Sequence, residues 1–372
     1  HRLYSPSEVQ VTHPALRYVS RWYGWIPFAA ALVLAFAWGQ ALGTIGVLLV
    51  SVSLVGAVLT AVHHAEVVAH RVGEPFGTLI LALAVTVIEA ALVVSMILSG
   101  GAGAAAIARD TVYAAVMIVC NGVVGLCLLL GGLRHHVLAF RVDGTSPALS
   151  VLAALSMLVL VLPGFTTTTP GPTYSASQLA FAGLMSLVLY AAFVFVQTVR
   201  HRDYFLPVET GARDEHAAPP GNGETALSLG LLLVCLVAVV GLAKLLAPVI
   251  QSGVGAIGAP AAVVGVAIAM LVLLPETLAA ARAARANRMQ TSLNLALGSA
   301  LATIGLTIPV VAALSVVLGF PLVLGLPGKE MVLLALTLIV SVLTLGSGRA
   351  TVLQGTVHLV MFAVFLFLAV VP

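Results

Sequence analysis

The chain has 372 residues, of which 61% are hydrophobic and only 8% charged, with a formal net charge of +3. A soluble domain carries about 25% charged residues, so a water-soluble globule is excluded. The small basic excess is too scattered to form a nucleic-acid surface. What remains is a polytopic membrane protein.

Residues 1–25 lack the apolar core and small-residue cleavage site of a signal peptide. Stretches of about 20 apolar residues span a bilayer. By that rule eleven spans are expected, at 24–38, 43–62, 77–99, 111–133, 148–164, 176–199, 226–247, 259–282, 291–318, 330–347 and 354–371. With a cytoplasmic N-terminus and an outer C-terminus, 13 of the 16 Lys and Arg residues fall inside, leaving Arg109, Lys244 and Lys329 outside. That bias fits a multi-pass protein of the bacterial inner membrane. Cys120, Cys127 and Cys235 all sit within apolar runs, without a CxxC or a disulfide framework, and read as packing residues.

Residues 200–225, RHRDYFLPVETGARDEHAAPPGNGET, mix Pro, Gly and charge as a cytoplasmic linker does. Setting aside 1–42 as an additional N-terminal helix and its leader, five spans (43–199) precede the linker and five (226–372) follow it. Five is odd, so the second half enters the membrane from the opposite side. The expected fold is an all-α polytopic membrane protein with one extra N-terminal helix and two inverted five-helix repeats, a transporter plan with its site between the halves.

An ionised side chain near the bilayer centre costs about 2.5–3.5 kcal/mol on insertion scales. Two acids bear that cost: Glu89 in LALAVTVIEAALVVSMIL and Glu276 in MLVLLPETLAA. Each lies in the second helix of its half, so the two occupy equivalent places. Oxygen donors accompany them: Thr86 three residues before Glu89 on the same helical face, Asn121 in the next span, Asn294, Ser299 and Thr303 in the span after Glu276, and backbone carbonyls near Pro275. Hard cations such as Ca²⁺, Na⁺ and K⁺ prefer oxygen. No basic residue of the apolar cores pairs with either acid, so each holds a proton or a cation. A single buried Glu also reads as a protonated packing residue; two in matched positions favour exchange.

The passages GEPFGTLILALAVTVIEAALVVSMIL and LLPETLAAARAARANRMQTSLNLALGSALATIGLTIPVV resemble the paired core motifs of the Ca²⁺:cation antiporter superfamily, in particular its bacterial ChaA-type proton antiporters. GRATVLQGTVHLVMF and the charged mid-loop extend the resemblance over nearly the whole chain. It implies two inverted repeats, one acid from each, and export of Ca²⁺, Na⁺ or K⁺ against H⁺. By carry-over, Glu89 and Glu276 are the cation and proton ligands, flanked by Asn121 and Ser299. Plant and fungal vacuolar relatives place Gly-Asn shortly before each acid; this chain has Val85–Thr86–Val87–Ile88 and Leu273–Leu274–Pro275 there.

Secondary candidates lie at the inner surface. HHAEVVAH places His63, Glu66 and His70 on one helical face, a polar helix end or a pH-sensing group. Glu74 before Pro75 reads as an entry-site acid or a favourable helix-start charge. The expected activity is therefore secondary antiport of inorganic cations against protons, without enzymatic chemistry or a cofactor. A cation channel and an intramembrane metal-dependent enzyme are the alternatives. Neither a nucleophile–base pair nor a His–carboxylate cluster at membrane depth supports the latter.

Overall fold

The computed structural model describes residues 22–73, 76–100, 103–206, 220–256, 258, 260 and 262–371. They form twelve helices: α1 (Trp22–Ala37), α2 (Thr44–Val72), α3 (Phe76–Leu98), α4 (Ala104–His135), α5 (Val142–Phe165), α6 (Ala176–Arg200), α7 (Asn222–Ala256), α8 (Ala262–Val272), α9 (Leu274–Arg285), α10 (Met289–Leu318), α11 (Gly328–Leu345) and α12 (Val352–Val370). A helix satisfies all its backbone hydrogen bonds internally, which lipid demands. Apolar side chains such as Phe36, Leu48, Val317 and Leu343 accordingly face outward.

Eight of these helices are long and apolar enough to cross a membrane, and the bent pair α8–α9 makes a ninth. The remaining apolar helices among the described residues, α1 and the Leu83–Leu98 part of α3, are shorter. Among the described residues length and composition thus give up to nine spans, and the expected eleven are not all represented. Two differences from the sequence reading have clear physical causes. Helix α2 continues to Val72, well past the expected end at 62, because its polar end stays helical against α1 and α7. The span expected at 259–282 is broken, with a 54° bend between α8 and α9. Pro275 lies in the first turn of α9; it has no N–H for the carbonyl of Leu271, and its ring crowds that carbonyl.

Helices α1, α2 and α7 pack on one another, with α3 joining them to the rest. On the other side α4 crosses α12 closely at Gly125 and Gly355. A Cβ on Gly355 would meet the Leu129 nitrogen at 2.6 Å, and one on Gly125 the Leu359 nitrogen at 3.0 Å, so only glycine permits this approach. A two-residue ribbon, β1 (Leu138–Ala139) with β2 (Arg349–Ala350), ties the α4–α5 loop to the α11–α12 loop. Wider, π-helical turns interrupt four helices, at Ile118–Val123, Met157–Val161, Val196–Arg200 and Thr303–Thr307. Such turns often mark functional positions.

Candidate ion-binding site

Glu89 sits on an unbroken helix, only 2% exposed. Its Oε2 accepts two hydrogen bonds, from the hydroxyls of Thr303 and Thr307, both at 3.0 Å. The two donors lie four residues apart across the π-turn of α10, so one widened turn presents both to α3. Thr86, one turn before Glu89, is buried as well.

Glu276 occupies the opposite kind of position. It begins the second half of the broken span, is partly exposed, and its Oε2 is buried without a hydrogen-bond partner among the described residues. It lines a cavity of about 320 Å³ whose walls include Ser299, Asn294 and Tyr190, and whose deep end reaches Val85 and Ala302. Those two residues neighbour Glu89 and Thr303 in sequence and space, so the cavity ends beside the first acid. Arg202 and Leu206, both exposed, form the wall near the end of α6, and the cavity opens there. Glu276 lies within electrostatic reach of both Glu89 and Glu66.

Of the predicted oxygen donors, Thr303 reaches Glu89 and Ser299 reaches the Glu276 cavity. The two amides are used differently. Asn121, fully buried in the π-turn of α4, donates to the Thr337 hydroxyl of α11 at 2.9 Å, while its Oδ1 has no partner among the described residues. That π-turn also packs on α9. Asn294 lines the cavity, but its Nδ2 donates to the Phe205 carbonyl at 2.6 Å and its Oδ1 accepts from Gln290 at 3.0 Å. It pins the 202–206 turn over the cavity mouth.

Of the inner-surface candidates, Glu66 comes within electrostatic reach of Glu276, while His63 and His70 are not among the residues that line its cavity. Glu66 and His70 are exposed on α2. Glu66 interacts electrostatically with Arg282, and His63 stacks against Tyr23 at 4.1 Å between ring centroids. Glu74 lies outside the described residues. Among the described residues no group of three or more His, Cys, Asp or Glu gathers as a metal centre.

Two residues escaped the sequence reading. Thr307 was readable as the residue one turn after Thr303. Arg202 lay in what looked like linker, and no local pattern reveals that the turn folds back over the cavity.

A helical membrane protein with one buried and one partly exposed carboxylate at a cavity of about 320 Å³, on helices from both halves of the chain, has the plan of an ion transporter. The profile of the family described as sodium/calcium exchanger protein matches residues 41–199 and 227–371. The chain belongs to this family of cation antiporters, and it is a transporter rather than an enzyme. It is 51% identical over 362 residues to a putative ionic transporter, y4hA, of Sinorhizobium fredii, covering 95% of this chain and 97% of that one. It is 34% identical over 344 residues to the sodium-potassium/proton antiporter ChaA of Escherichia coli, covering 90% and 93%. Among solved structures, native YfkE shares the fold with a TM-score of 0.70 at 16% identity, over 94% of this chain and 100% of that one.

Proposed function

We propose that the protein exchanges an inorganic cation for protons, with Glu89 and Glu276 as the groups that hold either. The observation that carries this reading is the unpartnered Glu276 oxygen at a cavity whose far end abuts the buried Glu89. Two adjacent carboxylates without a basic partner repel when both are ionised, and burial raises that cost. Two protons or one divalent ion remove it, as does one proton with one monovalent ion. Cation and protons therefore compete for the same oxygens.

In the proposed cycle, cation from the cytoplasm enters past Arg202 and Ser299, displaces protons from Glu276 and Glu89, and leaves the site near neutral. A neutral site is the less costly one to carry across the low-dielectric centre. After rearrangement, external protons release the cation. The empty, doubly charged site rearranges poorly, and this penalty couples the two fluxes. The two halves, 43–199 and 226–372, are read as inverted repeats that each supply one acid-bearing helix and one π-turned partner helix, α3 with α4 and α9 with α10. The π-turn of each half packs on the acid-bearing helix of the other, which is what a site built between repeats requires.

The name of the Escherichia coli relative supports Na⁺ and K⁺ as cargo; a pair of carboxylates also suits Ca²⁺. The test is reconstitution in vesicles containing a pH dye, with Na⁺, K⁺ or Ca²⁺ added separately to wild type and Glu89→Gln. Cation-driven proton movement in the first and its loss in the second are expected. A Glu89→Gln variant that exchanges at the wild-type rate would remove the central acid from the mechanism.

A further inference from the structure

A second group of charged residues lies at the other end of the bundle. Asp110 and Tyr113 are in the first turns of α4, Glu330 and Lys329 in the first turn of α11, and Leu368 near the end of α12. Successive spans alternate in direction, with α8–α9 counted as one, so these ends face away from the cavity at the end of α6. The five residues border a pocket of about 50 Å³, closed by Ala262 and Val266 of α8 and Phe365 of α12.

The charges here are not equally satisfied. Arg109 holds Asp110 firmly, with Nε and Nη2 on Oδ1 at 2.8 and 2.7 Å, and its Nη1 donates to the Gly325 carbonyl at 3.3 Å. Lys329 is only 3.5 Å from Glu330 Oε1 and also donates to the Leu368 carbonyl at 3.1 Å. Glu330 Oε2 is buried with no hydrogen-bond partner among the described residues, and so is the hydroxyl of Tyr113, a residue only 5% exposed. Both Asp110 and Tyr113 lie within electrostatic reach of Glu330. A buried polar atom left unpaired loses the hydrogen bonds it would make in water. Two of them on one pocket large enough for water mark a place where water or a proton completes the hydrogen bonding.

We infer that this pocket is a proton-receiving site on the face opposite the Glu276 cavity, with Glu330 as the acceptor and the Tyr113 hydroxyl as its hydrogen-bond partner through pocket water. This rests on the antiport reading. In the step, Glu330 Oε2 takes a proton from hydronium, leaving water, and the new O–H donates to pocket water held by Tyr113. The facing groups from every neighbouring element are Arg109, Asp110 and Tyr113 of α4 and Lys329 of α11 itself; α8 and α12 offer apolar side chains. The site also has a direction. Thr337 and Ser341, seven and eleven residues after Glu330 on the same face of α11, are buried. Thr337 is bonded to Asn121, in the π-turn that packs on the Glu276 helix.

The experiment uses the full chain in inside-out and right-side-out membrane vesicles, measuring cation-driven proton flux while pH is varied on one face at a time. Glu330→Gln is expected to slow exchange about tenfold or more, at the low end of what a positioned proton-transfer group contributes. It should also flatten the response to pH on its own face and leave the half-saturating cation concentration at the other face unchanged. A wild-type rate and pH response in Glu330→Gln would overturn the inference, and so would an altered cation affinity on the opposite face. Should Glu330→Gln fail to fold, Tyr113→Phe keeps the ring packed edge-on against Phe365 and removes only the hydroxyl. The same face-specific slowing is expected there, and its absence counts equally against the site. Glu89→Gln, run alongside, separates the two readings: exchange in that variant overturns the antiport mechanism itself, whereas its loss beside a normal Glu330→Gln overturns the entry site alone.

Discussion

Glu89 and Glu276 are the same residue, one on each side of the linker, yet they occupy opposite environments. Glu89 is sealed on a continuous helix and bound by two hydroxyls. Glu276 stands at a helix break, partly exposed, with an oxygen facing a cavity and no donor on it. In the proposed exchanger this difference would make the two acids unequal partners in one site. A π-turn in α10 brings hydroxyls to one acid, while the other, beside the Pro275 break, lines the cavity. Reversing which acid is shielded is what alternate access would require.

The comparison breaks most completely if either acid is dispensable. Glu276→Gln, like Glu89→Gln, is expected to abolish cation-driven proton flux in vesicles while the purified protein stays folded by circular dichroism. Retained flux in one variant alone would show that the two acids do not act together. Next in size is the double variant Thr303→Val, Thr307→Val. A hydrogen bond to a charged group is worth about 1.5–3 kcal/mol, so the half-saturating cation concentration should rise by tenfold or more. An unchanged value would mean that the hydroxyls merely pack against Glu89.

Accessibility gives a smaller but direct contrast. The native thiols Cys120, Cys127 and Cys235 are all buried, so an introduced cysteine can be followed on its own. Ser299→Cys should react with a water-soluble maleimide about tenfold faster than Thr303→Cys, because thiol reactivity follows exposure. Equal rates would remove the one-sided cavity. The least effect is expected from Thr337→Val, which deletes a neutral hydrogen bond worth about 0.5–1.5 kcal/mol. A modest drop in thermal midpoint with normal cation affinity supports a positioning role for Asn121. A large loss of affinity would show instead that the asparagine's orientation governs binding.

Both acids, Thr86, Ser299 and Thr303 were legible from the sequence because intramembrane polarity is costly and stands out against an apolar run. The break at Pro275 was legible as a possibility, since proline cannot complete the hydrogen-bond ladder. The roles of the amides were not. Asn121 and Asn294 look alike along the chain, yet one is fastened to α11 and the other to the turn at the start of the linker. Glu330 and Tyr113 likewise read as an ordinary helix-end acid and an ordinary aromatic until α4 and α11 come together.

The sequence by itself determined that this chain lives in a bilayer, that its elements are helices, and that two carboxylates sit where lipid would reject them. These follow from composition and local hydrogen bonding, each readable within one helix. Only the tertiary structure decided which donors meet which acid, where water reaches, and which charges are left unpaired. Those depend on side chains more than 200 positions apart, as Glu89 and Thr303 are, and no local pattern encodes such a meeting.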